Sequence, residues 1–63
     1  MAYQAEVFWT SGGKRRVELL PERQEIGHAI QDANARMREI RASSRSTPHA
    51  VILKDGLLHQ IMA

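Results

Sequence analysis

The feature that most constrains the fold of this chain is an apolar stripe with helical spacing near its middle. The side chains of the stripe recur at intervals of four, three, four and three residues: Ile26, Ile30, Ala33, Met37 and Ile40. This periodicity is typical of one face of an α-helix. We predict a helix over residues 21–42, because Pro21 suits the first turn, where its missing N–H is not needed.

Two glycine-containing turns predict hairpins on either side of this helix. Ser11-Gly12-Gly13 lies between two alternating segments, and glycine adopts a positive φ at little cost. Asp55-Gly56 lies between two apolar segments and is a strong signal for a two-residue hairpin turn. The segments that these turns join are predicted β-strands: 3–10, 14–20, 49–54 and 57–62.

The predicted elements follow one another in the order β-β-α-β-β. The simplest arrangement is an α+β fold with a four-stranded, mainly antiparallel sheet and one helix packed on one face. We assign residues 1–63 to a single small domain. Alternation in the first strand places four side chains on one face, which we expect to pack on the helix rather than form a base-stacking platform: Tyr3, Ala5, Val7 and Trp9.

Length and composition favour a partner subunit. A chain of 63 residues buries little apolar surface, and without cysteine it has no disulfide or thiolate-bound metal to add stability. Oligomerisation is therefore the expected additional source of stability. The sequence has no apolar run of the ~20 residues that span a bilayer, and residues 1–9 lack the pattern of a signal peptide. We expect a cytoplasmic protein with no membrane association and no cofactor.

The second hairpin is apolar on both of its predicted faces. Alternation divides its apolar side chains into two sets: Val51, Leu53, Leu58 and Met62 on one face, and Ala50, Ile52, Leu57 and Ile61 on the other. One helix cannot cover both faces, and strands that are apolar on both faces are normally buried on both. The chain also stays apolar up to Ala63, whereas terminal residues are usually polar unless they are held in place. We predict a homodimer with Ile52, Leu57 and Ile61 in the contact between subunits.

The net charge of +2 conceals an uneven distribution of charge. Since the predicted helix runs back towards the first hairpin turn, seven of the nine Lys and Arg residues should gather at one end of the molecule: Lys14, Arg15, Arg16, Arg36, Arg38, Arg41 and Arg45. The opposite end should be acidic, with Glu18, Glu22, Glu25 and Asp55. Such a basic cluster can bind phosphate groups, but arginines also complement the helix dipole and keep a surface charged. The sequence leaves both interpretations open.

No group of residues in the sequence indicates catalysis or metal binding. His28 and Asp32 have an i,i+4 spacing that suits two metal ligands, but no further ligand accompanies them. We expect Asp32 to pair with Arg36 on a solvated helix face instead. The second hairpin places His49 and His59 on opposite faces, so they should not share a site. We therefore predict that the protein is not an enzyme.

The sequence favours a small, non-enzymatic interaction module. It would self-associate through its exposed sheet face or edge and bind another macromolecule, with a protein partner favoured over nucleic acid. The alternative is a nucleic-acid-binding protein that uses the basic cluster, and a small-ligand or enzymatic role comes third. A salt titration distinguishes the first two, because contacts with phosphates weaken steeply as salt rises.

Overall fold

The computed structural model describes residues 1–62 and confirms the predicted order of elements. The elements are β1 (Tyr3–Ser11), β2 (Lys14–Leu19), α1 (Ile26–Ser43), β3 (His49–Lys54) and β4 (Leu57–Ile61). The strands form one four-stranded antiparallel sheet in the order β2-β1-β3-β4, and α1 packs against it. No helix within residues 1–62 has the length and apolarity that crossing a membrane requires.

Both hairpin turns have the backbone that the glycines predict. In the first turn, Gly12 and Gly13 have φ of 59° and 78°; in the second, Asp55 and Gly56 have φ of 51° and 84°. Positive φ at both central residues defines the turn type that matches the twist of a two-stranded hairpin. The second turn is also tied to the start of the chain, since Ala2 N–H donates to Asp55 Oδ1 at 2.9 Å and Asp55 N–H donates to the Ala2 carbonyl at 2.8 Å.

Helix α1 begins at Ile26, so the predicted start at Pro21 is wrong. The backbone of Arg23 is used by the sheet: its N–H and carbonyl each bond to Tyr3 at 2.7 Å. That pairing holds residues 20–25 out of the helix, and Glu25 caps α1 in an extended conformation with φ −114° and ψ 135°. The first turn of α1 therefore contains no acidic residue, because Glu22 and Glu25 precede the helix.

The core lies between α1 and the two central strands, and half of its buried cluster is alanine. Four alanines are fully buried, two in the sheet and two in the helix: Ala5, Ala50, Ala29 and Ala33. Val7 and Ile52 complete the sheet side, and Met37 and Ile40 complete the helix side. Because alanine side chains are short, the helix packs close to the sheet, and these positions leave little room for a longer side chain.

The apolar faces predicted from the sequence are the faces that meet. Ile26 and Ile30, in the N-terminal half of the stripe, are half-buried at the margin of the core, as are Tyr3 and Trp9 in β1. Ala29 lies in the core although the predicted stripe omits it, because it stands one helical turn before a stripe residue. The face of β1 that carries Tyr3 and Trp9 therefore packs on the helix and does not form a base-stacking platform.

A register shift in the second hairpin changes which side chains face the helix. A regular two-residue hairpin pairs Ile52 with His59, but the structure pairs Ile52 with Gln60. The extra residue is a β-bulge, and side chains alternate across a strand, so every residue after it changes face. Ile61 accordingly points away from α1 and is exposed, whereas Met62 packs against the core, the reverse of the predicted arrangement.

The close packing of α1 on the sheet predicts that the core does not accept a larger side chain. Replacing the buried Ala33 with leucine should lower the free energy of unfolding by about 1–3 kcal/mol, because the added atoms overpack the core. Ala35→Leu makes the same change at an exposed position of the same helix and should alter stability by less than about 0.5 kcal/mol. Urea denaturation measures both, and equal midpoints for the two variants would contradict the close packing.

Candidate interaction surfaces

Strand β4 forms one edge of the sheet, and its side chains are exposed along its whole length. Leu57, Leu58 and Ile61 are 75%, 62% and 70% exposed. The segment Leu57–Ile61 contains no Asp, Glu, Lys or Arg. The other edge, β2, is charged at four of its six residues: Lys14, Arg15, Arg16 and Glu18. Charged side chains on an edge strand discourage pairing with another sheet, so β2 is protected in a way that β4 is not.

One of the three residues predicted to form the subunit contact lies elsewhere. Ile52 is fully buried under α1, because it stands opposite Ala5 on the helix-facing side of the sheet. Leu57 is paired with Lys54 and lies on the same side, whereas the bulge puts Ile61 on the other side. The prediction is therefore wrong for Ile52, and Leu57 and Ile61 are exposed on opposite faces of the β4 edge.

The face of the sheet opposite α1, which we call the open face, is apolar over much of its area. Register and alternation place these apolar residues on it: Phe8, Val17, Leu19, Val51, Leu53, Leu58 and Ile61. Its polar residues are Gln4, Glu6, Thr10, Arg15 and His49. The apolar side chains dominate near the second hairpin turn, and the polar ones become frequent towards the first.

The topology brings the first hairpin turn and the C-terminal end of α1 to the same end of the molecule. Ser46, shortly after the helix, donates a hydrogen bond from its hydroxyl to the carbonyl of Thr10 near the first turn. Six cations belong to the parts of β2, α1 and the following segment that run towards this end, which we call the basic end: Lys14, Arg15, Arg16, Arg38, Arg41 and Arg45. The ion pairs found in residues 1–62 involve none of these six.

Arg36, the seventh predicted member of the cluster, is engaged in an ion pair. Its Nε donates to Glu18 Oε2 at 2.6 Å, and its guanidinium lies 5.8 Å from the centre of the Trp9 ring. The hydrogen bond to Glu18 raises the pKa of the Arg36 guanidinium above its ordinary value. Glu18 lies near the C-terminal end of β2, where it stands across from Val7 and within reach of α1. Arg36 thus covers the helix-facing side of β2.

Asp32 also pairs across the fold, and not with Arg36 as the helical spacing predicts. Arg23 donates to both carboxylate oxygens of Asp32, at 2.7 and 3.1 Å. The hydrogen bonds and charge of Asp32 raise the pKa of the Arg23 guanidinium. His28 has the i,i+4 spacing of a metal ligand to Asp32, but its Nε2 lies 3.8 Å from Oε2 of Glu25. In residues 1–62, no three His, Asp or Glu side chains converge as metal ligands.

A groove of about 530 Å³ lies at the basic end of the open face. Phe8 and His49 lie side by side within it on neighbouring strands, with ring centroids 5.6 Å apart and planes inclined by 27°. Its other lining residues are Glu6, Trp9, Thr10, Arg15, Val17, Ser46 and Thr47. No local sequence pattern indicates this groove, because it depends on the pairing of β1 with the non-consecutive strand β3. The one signal is Phe8, an aromatic residue on the otherwise polar side of β1.

The two histidines of the second hairpin contact residues on different faces of the sheet. His49 stacks on Phe8 on the open face, whereas the ring centroid of His59 is 5.7 Å from that of Tyr3, which faces the helix side. Lys54 also lies over the Tyr3 ring, at 5.9 Å. The two histidines therefore lie in different environments and do not share a site, as the alternation of the hairpin indicates.

No family model matches this chain, and no curated protein or solved structure shows a significant match to it.

The six cations of the basic end form no ion pair within residues 1–62, which predicts that anions stabilise the folded protein. An anion whose free concentration is ten times its dissociation constant adds about 1.4 kcal/mol to the free energy of unfolding by mass action. This raises the melting temperature of a small domain by several degrees. Sulfate should therefore raise the melting temperature more than chloride does at equal ionic strength. The increment should shrink in Arg15→Gln/Arg45→Gln, because two cations of the basic end are lost.

The matched control is Arg23→Gln/Lys54→Gln, which removes two positive charges from the other end of the sheet. Loss of the Arg23–Asp32 pair lowers the melting temperature of this variant in the absence of sulfate. The comparison is therefore between the increases in melting temperature that sulfate causes in each variant. General exclusion of sulfate from protein surfaces raises both variants alike. Equal increments in the two double variants would mean that no anion site exists at the basic end.

Proposed function

We propose that the protein is a non-enzymatic interaction module that forms a homodimer through the β4 edge and presents its basic end to another macromolecule. The observation that carries the proposal is the exposed, uncharged and apolar edge formed by Leu57–Ile61. An edge of this kind is a template for pairing with another strand.

The distribution of apolar side chains favours an edge contact over a contact between open faces. Leu58 and Ile61 lie on the open face, but Leu57 lies on the helix side of the same strand. Two sheets packed face to face would cover the first two side chains and leave Leu57 in water. A strand added beside β4 contacts side chains on both faces, so it accounts for all three.

A second copy of the chain fits this edge. Antiparallel pairing of two β4 strands about a two-fold axis makes every contact occur twice, with the two residues exchanged, which is the self-complementary geometry of a symmetric dimer. Leu58 and Ile61 then meet the partner's open face, and Leu57 meets the helix side. The bulge and the shortness of β4 limit the ladder of hydrogen bonds, so contacts between apolar side chains contribute most of the stability.

The basic end supplies the surface for a further macromolecule. It lies at the end of the sheet away from the second hairpin turn, and its six cations have no carboxylate partner among the ion pairs of residues 1–62. A protein with an acidic surface is the partner that such a cluster suits, since complementary charge steers association. Nucleic acid is the second candidate, which the concentration of arginine at one end favours. Steep loss of binding to oligonucleotides as salt rises would favour the second candidate.

The edge dimer predicts that two matched leucines respond differently to the same change. Leu58 and Leu19 are both exposed leucines of the open face, one on the β4 edge and one on the β2 edge. Leu58→Lys should convert the dimer to a species of 7.1 kDa at micromolar concentration, because a charge on the pairing edge opposes strand addition. Leu19→Lys should leave the dimer intact. Sedimentation equilibrium measures both masses.

Leu57→Lys separates the edge contact from a contact between open faces. Leu57 lies on the helix side of β4, so the substitution should dissociate an edge dimer and leave a face-to-face dimer unchanged. If Leu19→Lys dissociates the dimer and Leu57→Lys does not, the subunits make contact through their open faces and not through the β4 edge. A monomeric wild-type protein at micromolar concentration would reject the homodimer altogether.

A further inference from the structure

We infer that the groove at the basic end binds one base of a single-stranded nucleic acid, stacked on Phe8 and His49, with the adjoining phosphate against Arg15. The inference rests on the second candidate function above, nucleic-acid binding, and it names the site and the form of nucleic acid. It does not depend on the dimer.

The pair of rings provides the surface for stacking. Phe8 and His49 stack on each other across β1 and β3, with planes inclined by 27°, so a base placed against the pair extends an aromatic stack that already exists. Both side chains belong to the open face, which α1 does not cover. A base whose faces are free stacks on such a surface, whereas the bases of a duplex are already stacked on each other. The geometry therefore points to a single strand.

The charges around the rings set the orientation of the bound nucleotide. Arg15 stands across from Thr10, which is two residues closer to the first hairpin turn than Phe8. Glu6 is two residues further from that turn than Phe8. A phosphate is attracted to the Arg15 end and repelled from the Glu6 end. At the Arg15 end, Thr47 lines the groove, and its hydroxyl suits a contact to phosphate or sugar.

The size and position of the groove are compatible with this occupant. Its volume of about 530 Å³ falls within the ~300–1,000 Å³ of sites for small organic ligands. Other cations of the basic end lie near the groove: Arg45 precedes Ser46, and Lys14 and Arg16 flank Arg15 in the edge strand β2, with their side chains on its helix-facing side. These cations can follow the backbone of a strand that enters and leaves the groove, whereas an apolar or neutral ligand would make no use of them.

The groove stays open in the proposed edge dimer. Its residues come from β1, β2, the start of β3 and the segment before it, and none comes from β4. Each subunit therefore carries its own site.

The test measures binding of labelled oligo(dT) and oligo(U) of about 10 nucleotides by fluorescence anisotropy, at about 50 mM salt and upwards. Phe8→Leu keeps an apolar side chain but removes the aromatic ring, and it should weaken binding about 5- to 100-fold. Tyr3→Leu removes an aromatic ring from the helix-facing side of the same strand and should leave the affinity unchanged. Upfield shifts of the Phe8 and His49 ring protons in NMR spectra should report stacking in the unmodified protein.

The salt dependence tests the position of the phosphate. Arg15→Gln should reduce the slope of log affinity against log salt by about 0.7, as expected for one phosphate contact on a single strand. Lys54→Gln removes the same charge beside the second hairpin turn and should leave the slope unchanged.

The outcomes separate the site from the function on which it rests. If oligonucleotides do not bind at low salt, both the groove and the nucleic-acid candidate are rejected. If they bind with steep salt dependence but Phe8→Leu and Tyr3→Leu bind equally well, the basic end binds nucleic acid and the groove does not. A duplex or a polyglutamate peptide that binds as tightly as the single strand also overturns the stacking site.

Discussion

Helix α1 packs on β1 and β3 through alanines, and the remaining structure depends on this close contact. Ala29 and Ala33 from the helix meet a sheet surface that contains Ala5 and Ala50, all fully buried. The short side chains bring the helix near the central strands, so it covers the middle of the sheet rather than its edges. At the β2 edge the helix-facing side is covered by the charged side chain of Arg36, which reaches Glu18. At the β4 edge the helix-facing Leu57 stays exposed.

The two edges of the sheet consequently differ in chemistry. β2 carries four charged residues, and these hydrophilic side chains flank the backbone N–H and C=O groups at its free edge. β4 carries none, and three of its five residues are large and apolar. One structure thus has one edge suited to strand addition and one suited to remaining free, so the proposed association through β4 would close as a pair and not extend into a fibre. The β-bulge after Ile52 contributes by placing Leu58 and Ile61 on the same face.

The end of the sheet near the first turn combines charge with an aromatic surface. The basic residues of β2, α1 and the following segment belong to separate parts of the sequence, and the antiparallel path of the chain gathers them. Ser46 fixes part of this arrangement through its bond to Thr10. Arg15 belongs both to the basic end and to the groove beside Phe8 and His49. A ligand that carries negative charge and a flat ring system can therefore use both features at once.

The sequence by itself determined the elements of this protein, because periodicity and turn chemistry are local. The stripe from Ile26 to Ile40, the glycine turns and the alternation of β1 are enough to predict the order of elements and the α+β fold. Tertiary structure decided what depends on distant partners. Tyr3 draws Arg23 into the sheet and delays the start of the helix. Arg36 and Asp32 find partners across the fold instead of each other. The bulge turns Met62 towards the core and leaves Ile61 exposed, and the groove exists only because β1 pairs with β3. Each of these outcomes is a competition between a local preference and a contact far along the chain, and a sequence pattern records only the first.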